Sequence, residues 1–171
     1  MIRGPALAAA AVLALAGPAL AAAPAPKVGI ASFAELPTPL PYPYDEAANA
    51  DRVVAAAKMR ALAHHKLLLI DLGGNWCGDC RVLAGTMALA PLKAFVADHY
   101  EVALVDVGRF DKNLQIPARY GIHSRLEGVP SLLIVDPRTD RLLDAGHVAA
   151  LADARHMTPQ ALADWLAQWV E

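Results

Sequence analysis

The sequence predicts an α/β fold, and three observations carry that prediction. Leu67 to Ile70, within Lys66 to Leu72, is a short and nearly continuous apolar run of the kind that forms a strand buried on both faces of an α/β sheet. Segments with helical spacing stand on either side of it, at Tyr44 to Ala63 and from Cys77 onward. The chain closes on an amphipathic helix whose stripe of Leu162, Trp165, Leu166 and Trp169 is suited to covering a sheet.

The N-terminal residues come first in chain order. Arg3 is followed by an apolar run from Ala6 to Ala16, a break at Gly17 and Pro18, and small residues at Ala19 and Ala21. That is the anatomy of a secretory leader, with cleavage expected after Ala21. Retention as a membrane anchor is the competing reading, because the run approaches the ~20 residues that a span needs. Residues 1–21 are therefore assigned as a signal peptide, and the leader points to a periplasmic or otherwise exported protein. Removing them leaves about 150 of the 171 residues, enough for one domain. The net charge of −2 becomes −3 when Arg3 is lost, and no block of Lys or Arg remains, so nucleic acid is not an expected partner. The alanine-rich leader inflates the apolar fraction, which is no sign of a membrane protein.

Residues 22–44 carry Pro24, Pro26, Pro37, Pro39, Pro41 and Pro43, a composition that favours extended backbone and reads as a tether or surface wrap. The folded domain is assigned to residues 45–171. Asp45 and Glu46 lead into a helix with Val54, Lys58, Met59 and Leu62 at helical spacings. The strand at Lys66 to Leu72 is ended by Gly73, Gly74 and Asn75. Leu83 and Met87, four apart, mark the next helix, and Pro91 is placed to start another, with Leu92, Phe95 and Val96 on one face. Glu101 to Val107 is a second strand, Gly108 to Tyr120 a polar connection with some helix, and Ser131 to Val135 a third strand. Asp136-Pro137-Arg138-Thr139 then turns into Arg141 to Ala145, its expected edge partner. Thr158 as N-cap and Pro159 at the first helical position begin the last helix.

The chain has two cysteines, both in Trp76-Cys77-Gly78-Asp79-Cys80, which excludes a disulfide scaffold. This motif sits where a strand ends and a helix begins. A thiolate there faces unsatisfied backbone N–H groups and the positive end of the helix dipole, which lowers its pKa below the free value near ~8.5. Cys77 is thus the expected nucleophile. Cys80, in the first turn, is placed to attack a mixed disulfide on Cys77 and release the partner reduced.

At this point the sequence resembles the thioredoxin family over most of residues 50–170. The matching residues are Leu67 to Leu72, the Trp76 to Cys80 motif, Tyr120-Gly121-Ile122, Gly128-Val129-Pro130-Ser131 and Gly146. The resemblance implies a thioredoxin-like three-layer α/β/α fold with a central mixed β-sheet. It implies a cis peptide at Val129-Pro130 facing the cysteines, with the Val129 backbone pairing with a substrate strand. It also implies that Asp71, six positions before Cys77, is the buried carboxylate that helps deprotonate the resolving cysteine. Trp76, Gly78, Asp79, Val129 and Pro130 are then the expected substrate-binding residues, and Cys77, Cys80 and Asp71 the catalytic ones.

The sequence departs from the family at several places. The family's lysine near the buried aspartate is replaced by Leu104, the proline between the cysteines by Asp79, and the proline of the following helix by Gly85. An acid beside the motif opposes thiolate formation, with Arg81 available to offset it, so a reductase is favoured over a strong oxidase. The segments His123 to Glu127 and His147 to Met157 read as insertions near the active face. His64, His65, His99, His123, His147 and His156 are scattered without a ligand spacing, so no metal site is expected, and His64-His65 is read as a helix end and nothing more. Asp106 and Asp111 are assigned to solvated loops.

These readings converge on an exported, monomeric thiol–disulfide oxidoreductase. Protein thiols and disulfides would be its substrates, the Cys77–Cys80 disulfide its redox centre without any added cofactor, and a membrane redox partner its source of electrons. A redox-silent module using the same thiols for metal binding or chaperoning is the alternative.

Overall fold

Alternation along one strand organises the molecule. In the computed structural model, which describes residues 23–170, β1 (Leu67–Gly73) is buried from Leu68 to Gly73 and lies between two other strands. The leader assigned to residues 1–21 lies outside the described residues. β2 (Tyr100–Asp106) runs parallel to β1, β3 (Ser131–Asp136) runs antiparallel on its other side, and β4 (Arg141–Leu142) pairs with β3 at the edge. The sheet order is β2-β1-β3-β4, mixed as expected.

Each face of this sheet has its own core. Leu68, Ile70 and Leu72 of β1 join Ala103, Val105, Leu133 and Val135 beneath α1 (Ala50–His64), which contributes Val54, Ala57 and Ala61. Leu69, Leu132 and Ile134 point the other way, against Leu83 of α2 (Gly78–Met87), Leu92 and Phe95 of α3 (Ala90–His99), and Leu162 and Leu166 of α5 (Pro159–Ala167). A strand with apolar residues on both faces needs a helical layer on each side, and the continuous run at Leu67 to Ile70 has both. A short α4 (Gln115–Ala118) closes the connection after β2.

Capping chemistry sets the helix ends. Thr158 accepts from the Ala161 N–H at 3.1 Å with Pro159 opening α5, as its sequence dictates. α1 starts later than its acidic lead-in implied, because Asn49 caps it through the Arg52 N–H, and it ends on His65 at φ 56°. His64 does more than end a helix: its Nδ1 lies 2.8 Å from Glu101 of β2, whose carboxyl is held below the usual range by Arg60 and His64. Trp165 and Trp169 are only partly buried. They pack edge to face, 5.6 Å apart, against the core that Leu162 and Leu166 fill.

The proline-rich segment lies along the domain as a wrap. The Ala23 N–H donates to the Val170 carbonyl, and Val28 donates to Gln160. A 3-10 turn at Phe33–Glu35 is closed by a capping box from Ser32. Val28, Leu36 and Tyr44 are buried, and Arg81 of α2 grips the Leu40 and Pro41 carbonyls at 2.8 and 3.0 Å. Gly85 is the crossing point. A β-carbon there would stand 3.2 Å from Leu40 and 3.5 Å from Leu36, so the glycine leaves room for the wrap across α2.

Candidate active site

The site forms where β1 stops. Gly73 ends the strand because no larger residue fits: a β-carbon would overlap the Tyr44 hydroxyl and lie 2.9 Å from the Cys80 sulfur. The chain turns through Gly74, Asn75 and Trp76, with the Cys77 N–H donating back to the Gly74 carbonyl at 3.0 Å. Cys77 is the N-cap of α2, in extended conformation, and its sulfur accepts the Cys80 N–H at 3.1 Å. A sulfur therefore fills the place that a Ser or Asp oxygen usually takes at a helix start.

Cys77 and Cys80 are joined as a disulfide, with α-carbons 5.3 Å apart. Their burial differs. Cys77 keeps 5% of its surface exposed and Cys80 none, so of the two only Cys77 reaches the surface. Cys77 Sγ also lies 3.3 Å from the Val129 carbonyl oxygen, across which a reduced thiol would donate. The Val129-Pro130 peptide is cis. Val129 and Pro130 are buried, and Ser131 ties the turn by donating to the Gly128 carbonyl at 2.7 Å.

Asp71 sits in the middle of the sheet, in register with Leu104 of β2 and Leu132 of β3, and is 1% exposed. Leu104 thus stands where the family resemblance placed a missing lysine. Burial pushes the Asp71 carboxyl up to about 7, and a hydrogen bond from Tyr44 partly opposes that rise. The Tyr44 hydroxyl donates to Asp71 Oδ1 at 2.8 Å. Sequence reasoning missed Tyr44, because it lies at the end of the proline-rich segment with no periodicity to mark it.

Trp76 is 42% exposed beside Cys77. Its Nε1 donates to the Gly108 carbonyl at 2.7 Å, its ring meets Phe110 edge-on at 6.0 Å, and the Arg109 guanidinium covers it at 4.5 Å. Arg125, from the first insertion, stacks on Phe110 at 4.2 Å. An aromatic patch with two cations thus begins at the residue before Cys77.

Gly78 is exposed, but Asp79 is not free to meet a partner. Its carboxylate is 7% exposed and held by the second insertion, accepting the Arg155 N–H at 2.8 Å and pairing with the Arg155 guanidinium at 3.1 Å. The expectation that Arg81 offsets this acid is corrected: Arg81 is committed to the wrap, and Arg155 supplies the charge. The His147 to Met157 segment also presses Ala152 against Gly128, where a β-carbon would stand 2.6 Å from the Ala152 methyl. Asp106 is likewise no solvated residue. It is 6% exposed, accepts the Gly108 N–H at 3.2 Å and pairs with Lys112 at 3.3 Å.

Comparison with known proteins gives the same picture. A family model described as thioredoxin-like matches residues 49–137. Thioredoxin from Acidithiobacillus ferridurans is 32% identical over 96 residues, covering 55% of this chain and 76% of that protein. Thioredoxin from Pyropia yezoensis is 30% identical over 101 residues, covering 57% and 85%. Thioredoxin from Chlorobaculum thiosulfatiphilum is 35% identical over 71 residues, and the matched region spans 56% of that protein. Among solved structures, a disulphide isomerase from Xylella fastidiosa Temecula1 superposes with a TM-score of 0.68 at 35% identity, covering 75% of this chain and 96% of that one.

Proposed function

This chain belongs to the thioredoxin-like family, and on that premise we propose that it is an exported thiol–disulfide oxidoreductase that reduces disulfides in other proteins. The observation that carries the reading is the Cys77 sulfur at the N-cap of α2, accepting the Cys80 N–H and bordered by the Val129 carbonyl. Cys77 attacks a protein disulfide, which forms a mixed disulfide and expels one partner sulfur. Cys80 then attacks Cys77, and the second partner sulfur leaves. Asp71 accepts the Cys80 proton, a task that suits a carboxyl whose pKa lies near 7. Val129 and Pro130 present backbone to the client chain, while Trp76 and Gly78 form the rim it crosses.

The reducing direction is supported by the motif's own charges. No cation stands between the cysteines, and Asp79 opens α2 with an acid whose charge Arg155 balances. The thiolate therefore relies on the helix terminus and one N–H, without the added positive field that makes a strong oxidant. An exported reductase needs electrons delivered across a membrane, so a membrane redox partner is part of the proposal.

Insulin reduction tests the reading. The reduced parent chain is expected to precipitate insulin B chain catalytically, and Cys77→Ser is expected to fall to the rate of dithiothreitol alone. A fully reduced parent with no activity above that background overturns it. For direction, a largely dithiol state of Cys77 and Cys80 trapped in cells fits a reductase, and a largely disulfide state contradicts one.

A further inference from the structure

The wrap delivers a phenol into the centre of the site. Tyr44 is 3% exposed, and its backbone is clamped to the loop before Cys77 from both sides. Its N–H donates to Asn75 Oδ1 at 3.1 Å, and Asn75 Nδ2 donates to its carbonyl at 2.8 Å. The hydroxyl donates to Asp71 at 2.8 Å and occupies, with the Cys80 sulfur, the space that a side chain at Gly73 would fill. One hydroxyl therefore contacts the buried carboxyl and stands beside the resolving cysteine. Tyr44 also lies outside residues 49–137, the part matched by the family model, so its role belongs to this chain's N-terminal segment.

We propose that Tyr44 is a positioning residue for the resolving step: its hydroxyl fixes and stabilises the Asp71 carboxylate that takes the proton of Cys80. The proposal rests on the exchange reading above. In that step the Cys80 S–H gives its proton to the Asp71 carboxylate, and the Cys80 sulfur bonds to Cys77. The bond from Cys77 to the partner breaks, and the partner sulfur leaves as a thiolate that takes a proton from water. Over the whole reaction the cysteine pair gives up two electrons and becomes a disulfide, and the partner disulfide gains them and becomes two thiols.

The surroundings leave this role to Tyr44. In the sheet, Leu104 and Leu132 flank Asp71 in register and offer no polar group. From α2 comes Cys80, and from the wrap comes Tyr44. Asp106 also acts on Tyr44: its field disfavours a phenolate there, and it is itself paired with Lys112. Burial and the Asp71 charge hold the phenol far above its ordinary pKa, so it stays a donor at any working pH. A constant donor stabilises the ionised carboxyl, which lets Asp71 act as a base near neutrality despite its burial.

Tyr44→Phe keeps the ring and removes only that donor. In the oxidised full-length chain, carbon-13 NMR titration of the Asp71 carboxyl is expected to give a midpoint near 7 for the parent and about one unit higher for the Phe variant. The pH profile of partner release from the mixed disulfide is expected to move with it. A double-mutant cycle adds a second readout: in an Asp71→Asn background, Tyr44→Phe is expected to leave the release rate unchanged, whereas a purely structural role would slow both backgrounds alike. An unmoved Asp71 midpoint in a chain that still exchanges disulfides, or equal slowing in both backgrounds, overturns this proposal alone. A parent that forms no mixed disulfide overturns the exchange reading itself.

Discussion

Asp71→Asn is expected to make the oxidised protein more stable and a slower thiol–disulfide oxidoreductase at once. The Asp71 carboxyl is raised from 3.8 to about 7 by burial, so the folded state binds a proton that the unfolded chain releases between those values. Stability from this group is fully present below about pH 4 and is lost as pH rises to about 7, above which the loss is constant. Asp144 adds to the same trend. It is fully buried, with one carboxyl oxygen accepting the Ile134 N–H and the other without a partner among the described residues, and burial pushes it up to about 6. For Asp71 the full penalty approaches roughly 4 kcal/mol at pH 8. The Asn variant escapes that cost while still accepting from Tyr44. Urea unfolding of the oxidised chains is expected to show the variant more stable by a few kcal/mol at pH 8, on that scale, with the difference closing toward pH 4. Its release of partner at pH 7 is expected to slow by about a hundredfold, the usual scale for loss of a general base. Equal stabilities at pH 8 would show that Asp71 carries no such penalty.

Cys80→Ser is expected to stop the reaction halfway. Cys77 retains its exposed edge and its place at the start of α2, so attack on a client disulfide proceeds. The second sulfur is gone, so the mixed disulfide persists and turnover falls to background. Non-reducing electrophoresis with a disulfide-bonded client should show a thiol-sensitive adduct, and peptide mapping should place it on Cys77. Cys77→Ser should give none. An adduct in Cys77→Ser at a similar yield would mean that Cys80 reaches clients directly, which its zero exposure opposes.

The parts of this molecule legible in its sequence are those written in local pattern. The apolar run before Gly73 announced a strand between two layers, and Thr158-Pro159 announced the start of α5, because periodicity and caps act within a few residues. The Cys77 motif at a strand-to-helix junction was visible for the same reason. What stayed hidden depends on contacts across long stretches of chain. Asp79 and Arg155 are 76 positions apart, and nothing near either predicts their pairing. Asp106 looked like an ordinary strand-end acid until Gly108 and Lys112 folded back on it. Tyr44 was the largest omission. A proline-rich segment carries no repeat that marks one residue as buried, and the glycines that admit it, Gly73 and Gly85, read from sequence only as a break and a substitution.

The account depends on Cys77 being the anionic, reachable sulfur of the pair, and alkylation of the reduced chain measures that most directly. Iodoacetamide labelling across pH, read by peptide mass spectrometry at each cysteine, is expected to find Cys77 modified first, with a midpoint below the free-thiol value near ~8.5, and Cys80 protected. Faster labelling of Cys80, or a Cys77 midpoint at or above that value, would contradict it.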